Sequence, residues 1–374
     1  MKIAVTGANG FIAKNLISYL QLDKKNKIFK IDRKTSEKNL EKIIKTSEII
    51  FHLAGVNRPS KQKSSYLQNE KITNKICKLI EINNLKTKII FSSSTKVKEK
   101  NNRYGKSKLN CEKILINLLK KNSSFVTILR LPNVFGKWSK PNYNSVVSTF
   151  CYNIPRKKSI FISKPSKYLE LLYIDDLIKL FVLLKNKTHN MRKLSIIKKF
   201  DNTKKINLKS LSDLIFLFEK NRKENFIDDF NDKFIKNLYS TYVSYLPSHK
   251  VSYSLPSKKD NRGNFIEFLK SKSFGQISIF SAKKNKIRGY HFHNSKVEKF
   301  LVVKGKAKFI MESIYEKKKF EIILNSSFPK VIESVPGWVH YIKNIGKTDL
   351  IVLLWSNEPF DAKNPDTFSI NEKN

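Results

Sequence analysis

An α/β domain on a parallel sheet, followed by an all-β barrel or jelly roll, is the fold class predicted for this 374-residue chain. Three observations carry that prediction. Strand-like and helix-like apolar segments alternate through roughly the first 130 residues. Short strand-like runs with almost no helical periodicity fill about the last 120, a usual domain size. A glycine-rich turn, Thr6-Gly7-Ala8-Asn9-Gly10-Phe11-Ile12-Ala13, joins the first strand to the first helix.

In chain order, Lys2–Thr6 reads as a short apolar strand and Phe11–Leu20 as a helix by its apolar spacing. Lys27–Asp32 and Ile49–Leu53 are the second and third strands, and Ile72–Ile82 is helical. Thr87–Phe91 is the fourth strand, running into Ser92-Ser93-Ser94. Tyr104–Lys120 is a long helix, and Phe125–Leu131 is the fifth strand. Beyond Asn142 the pattern is mixed, with amphipathic helices at Asp175–Leu184 and Leu208–Lys220. Tyr239–Ser257, with Pro247 and Pro256 and no helical periodicity, reads as a linker, dividing the chain into 1–243 and 244–374. Strands follow at Gly275–Phe280, Lys299–Val303, Lys306–Met311, Phe320–Leu324, Lys330–Ser334 and Leu350–Leu354.

Composition excludes some functions. No run of about 18 apolar residues exists, so no membrane span is expected, and the glycine turn precedes any apolar stretch of signal-peptide length. Three dispersed cysteines, Cys77, Cys111 and Cys151, make a disulfide framework unlikely and fit a reducing cytoplasm. The net charge of +43 suggests nucleic acid, but only nine of 74 basic residues are arginine and the lysines spread over the whole chain. Arginine is the usual reader of base edges, so solvated lysine on most faces is the better reading, with no nucleic-acid partner.

In the glycine turn, the first glycine permits a tight turn, and the second lets backbone approach a pyrophosphate resting on the helix N-terminus. Ala13 is small enough for the helix to pack on the sheet. His52-Leu53-Ala54-Gly55 follows the third strand, the serines end the fourth, and Tyr104-Gly105-Lys106-Ser107-Lys108 opens the next helix. Tyr and Lys at i and i+4 share a helical face. An ammonium beside the phenol is expected to depress its pKa from about 10, readying it for proton exchange with a carbonyl.

This set resembles the extended short-chain dehydrogenase/reductase family, which has a Rossmann-type fold. The resemblance implies Tyr104 as general acid, Lys108 as its partner and a ribose ligand, and Ser94 as the hydroxyl that orients the substrate oxygen. It also implies cofactor contacts at Gly7, Asn9, Gly10, Phe11, Ile12, Asp32, Arg33, Leu53, Ala54 and Gly55, besides Tyr104 and Lys108. Arg130-Leu131-Pro132-Asn133-Val134-Phe135-Gly136 resembles the substrate-side loop, implying substrate contacts at Asn133 and Lys140. Asp32 would accept from a ribose 2′-hydroxyl and favour NAD, whereas Arg33 and Lys34 favour the 2′-phosphate of NADP. Arg33, one of only nine arginines, tips the balance to NADP. Between the second and third strands, the family's usual Asp-Leu pair against adenine is missing.

In the rear half, Gly289-Tyr290-His291-Phe292-His293 is followed by Glu298 and Gly305, and later by Pro336-Gly337-Trp338-Val339-His340 and Asn344. Two histidines at i and i+2 on a strand face one way. With a nearby Glu and a distant His they make an N3O set for a divalent metal, zinc first. The other three histidines, His52, His189 and His249, read as packing or surface residues. The two segments match the HxHx4Ex6G and PGxxHxxxN motifs of cupins, which implies His291, His293, Glu298 and His340 as ligands. Asp260-Asn261-Arg262-Gly263-Asn264-Phe265-Ile266-Glu267 is similar to the start of nucleotide-deoxysugar 3,5-epimerases, implying Arg262 as a substrate contact.

An extended reductase fused to a cupin is a narrow pairing. The strings Gly136-Lys137-Trp138-Ser139-Lys140-Pro141-Asn142-Tyr143-Asn144-Ser145, Ser244-Tyr245-Leu246-Pro247 and Trp355-Ser356-Asn357-Glu358-Pro359 resemble the bifunctional reductases of capsular polysaccharide biosynthesis. That resemblance implies a UDP-linked 4-keto-6-deoxy-HexNAc substrate, metal-assisted C3 epimerisation, then NADPH-dependent C4 reduction, in a homodimer. Tyr290, Tyr341 and Lys299 are the candidates to move the C3 proton. Two rivals stand beside it: an NAD-dependent UDP-sugar 4-epimerase or 4,6-dehydratase with a structural cupin, and a lysine-rich nucleic-acid-binding protein.

Overall fold

The computed structural model describes residues 1–58, 66–187 and 193–370, so His189 lies outside the described residues. The chain divides into two compact units: residues 1–216 with 237–247, and residues 217–236 with 248–374.

The first half alternates β1 (Lys2–Thr6), α1 (Phe11–Leu20), β2 (Lys27–Ile31), α2 (Glu37–Thr46), β3 (Ile49–His52), α3 (Leu67–Ile82), β4 (Lys88–Ser94), α4 (Arg103–Lys121) and β5 (Phe125–Leu131). Then come β6 (Asn133–Phe135), α5 (Val146–Asn153), β7 (Tyr168–Tyr173), α6 (Ile174–Asn186), β8 (Leu194–Ile197), β9 (Thr203–Asn207), α7 (Leu208–Lys223) and α8 (Lys233–Ser244). The main sheet has the order β2-β1-β3-β4-β5-β8 and is parallel throughout. Its central strands β1, β3, β4 and β5 are near-continuous buried runs rich in Ile, Val and Phe because both faces are covered. Ile3, Val5, Phe51 and Ile90 pack toward α1 and α6. Ala4, Ile50, Ile89 and Phe91 pack toward α2, α3 and α4. This is the predicted Rossmann-type sheet, and it delivers the C-terminal ends of β1, β3 and β4 to one edge, where ligands of such folds bind.

One expectation is corrected, and one helix is added. The stretch from Tyr239 is not a structureless linker: α8 runs to Ser244, and Phe234, Leu238 and Tyr242 bury one stripe at helical spacing. A window opened at Tyr239 misses the first half of that stripe. Helix α2 also went unread, because only Leu40 and Ile44 of its ten residues are buried and its composition is charged.

From Ser257 onward the regular elements are strands: β10 (Ser257–Asp260), β11 (Gly263–Ser271), β12 (Gly275–Ala282), β13 (Ile287–Phe292), β14 (Glu298–Lys304), β15 (Lys306–Ser313), β16 (Lys319–Asn325), β17 (Val331–Glu333), β18 (Trp338–Asn344), β19 (Leu350–Ser356) and β20 (Phe368–Ser369). They form two sheets, β10-β11-β12-β19-β14-β17 and β16-β15-β18-β13-β20. Phe280, Phe300, Val302, Phe309, Ile342 and Val352 fill the space between them. This is the cupin barrel, and its inward-facing residues alternate with outward ones along each strand.

Candidate active site and metal centre

Strand β1 ends at Thr6, and Gly7 turns the chain in the left-handed region at φ +67°. A Cβ on Gly7 would lie 2.7 Å from Ala54 Cα, so only glycine lets the loop after β3 pack against this turn. Thr6 Oγ1 accepts from the backbone N–H groups of Leu53 and Ala54, both at 3.1 Å. Its own proton therefore goes to His52 Nδ1 at 2.8 Å. Nε2–H of His52 then donates to Thr73 Oγ1 at 2.9 Å, and Thr73 donates to Asn69 O at 2.7 Å. Burial, then the Lys108 charge, push the His52 pKa down to about 3, so the ring is neutral. Asn69 holds Val56 from both sides and donates to Ser107 Oγ at 2.9 Å. One buried polar chain thus ties the glycine turn to helix α4.

Helix α4 starts on the Asn102 cap, whose side chain accepts from Gly105 N at 2.9 Å. It presents Tyr104 and Lys108 to a cavity of about 1530 Å³. The Lys108 ammonium donates to Ser92 O at 2.8 Å and sits 4.6 Å from the centre of the Phe91 ring. Gly55 leaves it room, since a Cβ there would lie 3.0 Å from Nζ. Burial lowers the Lys108 pKa to about 8.

The expected depression of the phenol is not found. Burial pushes Tyr104 up to about 12, and Cys111 and Tyr66 push the same way. The ammonium turns to Ser92 and Phe91, and the buried Tyr104 keeps its proton at neutral pH. That state suits a proton donor to a developing alkoxide.

Gly7, Asn9, Gly10, Phe11, Ile12, Leu53, Gly55, Ser94, Asn133 and Lys140 line the same cavity. Ala54 backs Gly7. Asp32 stands beside the turn, accepting from Asn9 Nδ2 at 3.0 Å and Lys34 N at 2.9 Å, and Arg33 is exposed. Arg262 belongs to the rear unit and lines a second cavity, of about 400 Å³. There Asp260 bridges it to Arg288, with Arg262 Nη2 at 2.7 Å and Arg288 Nη1 at 3.2 Å.

In that second cavity His291, His293, Glu298 and His340 place one donor atom each within 4.8 Å of one another. Glu298 Oε2 lies 3.1 Å from His340 Nε2, 3.3 Å from His293 Nε2 and 4.0 Å from His291 Nε2. Nδ1 of His293 is 2.5 Å from Asp366 O, and Nδ1 of His340 is 3.3 Å from Trp338 O. A carbonyl only accepts, so both Nδ1 atoms carry the proton and both Nε2 lone pairs face the carboxylate. The buried Nε2 atoms of His291 and His293 have no hydrogen-bond partner among the described residues. Converging lone pairs around one negative oxygen need a cation, and the donor set fits zinc.

Backbone strain marks the approach to this cluster. Gly289 and Tyr290 take φ of +92° and +73°, where β13 bulges against β18. The Tyr290 ring packs 4.8 Å from that of Tyr341. Among the three residues considered for the C3 proton, Tyr341 borders the cavity, but it follows inward-facing His340 on β18, so its ring lies on the other face and its hydroxyl donates to Glu312 Oε1 at 3.3 Å. Lys299 does not border it; Glu298 points in, so its neighbour on β14 points out and pairs with Glu333 at 2.8 Å. Asn344, the last residue of the second motif, has a structural role, with Nδ2 donating to Ala282 O and Thr348 O at 2.8 Å each.

A model described as "NAD dependent epimerase/dehydratase family" matches residues 3–197, and one described as "Polysaccharide biosynthesis C-terminal domain" matches residues 258–368. UDP-2-acetamido-2,6-beta-L-arabino-hexul-4-ose reductase of Pseudomonas aeruginosa is 40% identical over 370 residues, covering 99% of this chain and 98% of its own. The chain belongs to the NAD dependent epimerase/dehydratase family. The capsular polysaccharide assembling protein CapF of Staphylococcus aureus superimposes with a TM-score of 0.89 at 36% identity, covering 99% of this chain and 100% of its own. Within the family, this is therefore a CapF-like chain, an extended short-chain reductase fused to a cupin. A UDP-N-acetylglucosamine 4-epimerase of Methanobrevibacter ruminantium, at 23% identity and a TM-score of 0.54 over 66% of this chain, shares the fold.

The sequence reading of this CapF-like chain missed supporting groups. Glu112, one turn after Lys108, is buried in a bidentate pair with Arg130 of β5, at 2.6 Å to Nη2, and accepts from Ser93 Oγ at 2.5 Å. It fixes the serine end of β4 to helix α4. The i+4 spacing from Lys108 was the available signal. His52 and Thr6 gave none, because their pairing spans 46 residues.

Proposed function

We propose that this CapF-like chain is a bifunctional nucleotide-sugar enzyme acting on a UDP-2-acetamido-2,6-dideoxy-hexos-4-ulose. The cupin domain (244–374) inverts C3. The reductase domain (1–243) then reduces the C4 ketone, giving UDP-2-acetamido-2,6-dideoxy-L-talose, a precursor of UDP-N-acetyl-L-fucosamine for capsule or O-antigen synthesis in the cytoplasm. One observation carries the reading: a single chain holds two chemically complete cavities, one lined by Ser94, Tyr104 and Lys108 and one by His291, His293, Glu298 and His340. The reductase of P. aeruginosa, similar over nearly the whole chain, agrees with it.

NADPH supplies the hydride, and a divalent ion, zinc, held by the three histidines and Glu298 supplies Lewis acidity toward a substrate oxygen. The chain's own groups do the rest. Tyr104 gives its proton to the C4 oxygen as the carbonyl becomes an alkoxide, and the Ser94 hydroxyl donates to the same oxygen. Lys108 would hold the cofactor ribose with an ammonium proton not used on Ser92 O. Asn133 and Lys140 hold the nucleotide sugar in the reductase cavity, and Arg262 holds it in the cupin. At the cupin site the C4 ketone acidifies the C3 proton. NADPH over NADH is favoured because both Asp32 oxygens are engaged by Asn9 and Lys34, whereas Arg33 is exposed.

The proposal includes a homodimer. Ile266, Ile279, Leu353, Leu301 and Val331 pair across five strands on the outer face of one barrel sheet, partly or fully exposed to solvent. An apolar row of this kind favours a covering partner. Sedimentation of the intact chain tests it, a monomer counting against it. The enzymatic reading is tested by incubating UDP-linked 4-keto-6-deoxy-HexNAc with NADPH or NADH, following cofactor absorbance and product stereochemistry. Turnover without C3 inversion, or none with either cofactor, would overturn it.

A further inference from the structure

His293 closes one side of the metal cluster and Glu298 opens the other, with residues 294–297 as an irregular connection between β13 and β14. The N–H groups of such a loop lie outside the strand ladder and need other acceptors. The chain's last described segment supplies them. Asp366 Oδ1 accepts from Asn294 N at 2.9 Å. Its Oδ2 accepts from Ser295 N at 2.9 Å, Ser295 Oγ at 3.0 Å and Lys296 N at 2.8 Å. The backbone carbonyl of the same residue takes the Nδ1 proton of His293. Asp366 sits in the left-handed region at φ +36°, which Asp tolerates better than most residues. That turn lets its side chain and its carbonyl reach the one loop together. Flanking contacts run the same way: Lys296 Nζ donates to Pro365 O at 2.6 Å, and Ser369 pairs with His291.

We propose that Asp366 is a positioning residue for the metal centre, an inference that rests on the metal reading above. Its carboxylate sets the course of residues 294–296, and so the separation of His293 from Glu298. Its carbonyl selects the His293 tautomer whose Nε2 lone pair faces the ion. Outer groups that orient a ligating histidine typically contribute about ten- to hundredfold in metal affinity.

The test is a zinc titration of the full-length apoprotein against a chromophoric chelator. Asp366→Ala should bind zinc about ten- to hundredfold more weakly and shift the visible absorption of the Co²⁺-loaded protein. Asp366→Asn keeps an acceptor oxygen for one side of the loop and should recover part of the loss, which covers the case in which the alanine variant does not fold. Asp361→Ala is the control. It lies in the same segment, and its described side-chain bond is to Lys363 N at 2.9 Å, so zinc affinity should be unchanged. Wild-type affinity and spectrum in Asp366→Ala, or an equal loss in Asp361→Ala, would overturn the positioning role alone. A wild-type chain that takes up neither zinc nor cobalt would overturn the metal reading with it.

Discussion

Replacing Tyr104 by Phe removes one oxygen and leaves the ring in place. None of the described hydrogen bonds involves the Tyr104 hydroxyl, and the ring is half-buried near that of Tyr66 at 6.3 Å. The fold should therefore lose less than about 0.5 kcal/mol, the range for a substitution that breaks no buried partner. Catalysis should lose far more. Burial holds the phenol up at about 12, so at neutral pH it is a fully protonated donor. Removing a positioned proton donor costs about 10²–10⁴-fold in rate, or about 3–5 kcal/mol of barrier. The assay has two arms on one ketosugar: NADPH oxidation for reduction, and C3 proton exchange with D2O by NMR for epimerisation. Reduction should fall by that factor, and exchange should continue at the wild-type rate. A variant that reduces within tenfold of wild type refutes Tyr104 as the acid. One that stops exchange with fold and metal content intact refutes the division of labour between the two cavities.

Other outcomes follow from the same geometry. His291→Ala should lose metal, measured by elemental analysis, and stop C3 exchange, while thermal melting of the reductase unit stays put. Glu112→Ala leaves the Arg130 guanidinium and Ser93 without their acceptor, and should destabilise the reductase unit by about 3 kcal/mol in denaturant titration. Lys108 gives a pH dependence. Its pKa falls from 10.5 to about 8 on burial, so between those values the unfolded chain binds more protons than the folded one, and stability rises with pH. The cost of the buried charge is fully present below pH 8 and amounts to about 3 kcal/mol at 1.36 kcal/mol per unit. Lys108→Met should lack that rise and lose reduction. Parallel slopes for the two proteins from pH 8 to 10.5 would count against a buried ammonium.

What the sequence revealed, and what it hid, divides by the range of the interaction. Lys2–Thr6, Phe11–Leu20 and Phe125–Leu131 were read to the residue, because each is an apolar run fixed by its local period. Strand β18 was recognised as a motif rather than as a strand, since a histidine interrupts its apolar pattern. The convergence of His291, His293 and Glu298 was legible from spacing, set by strand pleat and a short loop, whereas His340, 42 residues beyond Glu298, was legible only through the second cupin motif. The Tyr104 pKa was read in the wrong direction. Helical spacing puts Lys108 on the right face, but cannot show that its ammonium turns to Ser92 and Phe91. Asp366 left no trace, because about 70 residues separate it from the loop it holds.

The alternation of Glu298 inward with Lys299 outward carries a consequence for how this protein can change. A one-residue slip of β14 against β19 would exchange their sides and thrust an amine among three imidazoles where an acid belongs. Length changes within β14 itself can be absorbed only in pairs, or by a compensating bulge. Substitutions along the barrel's exterior meet no such parity rule.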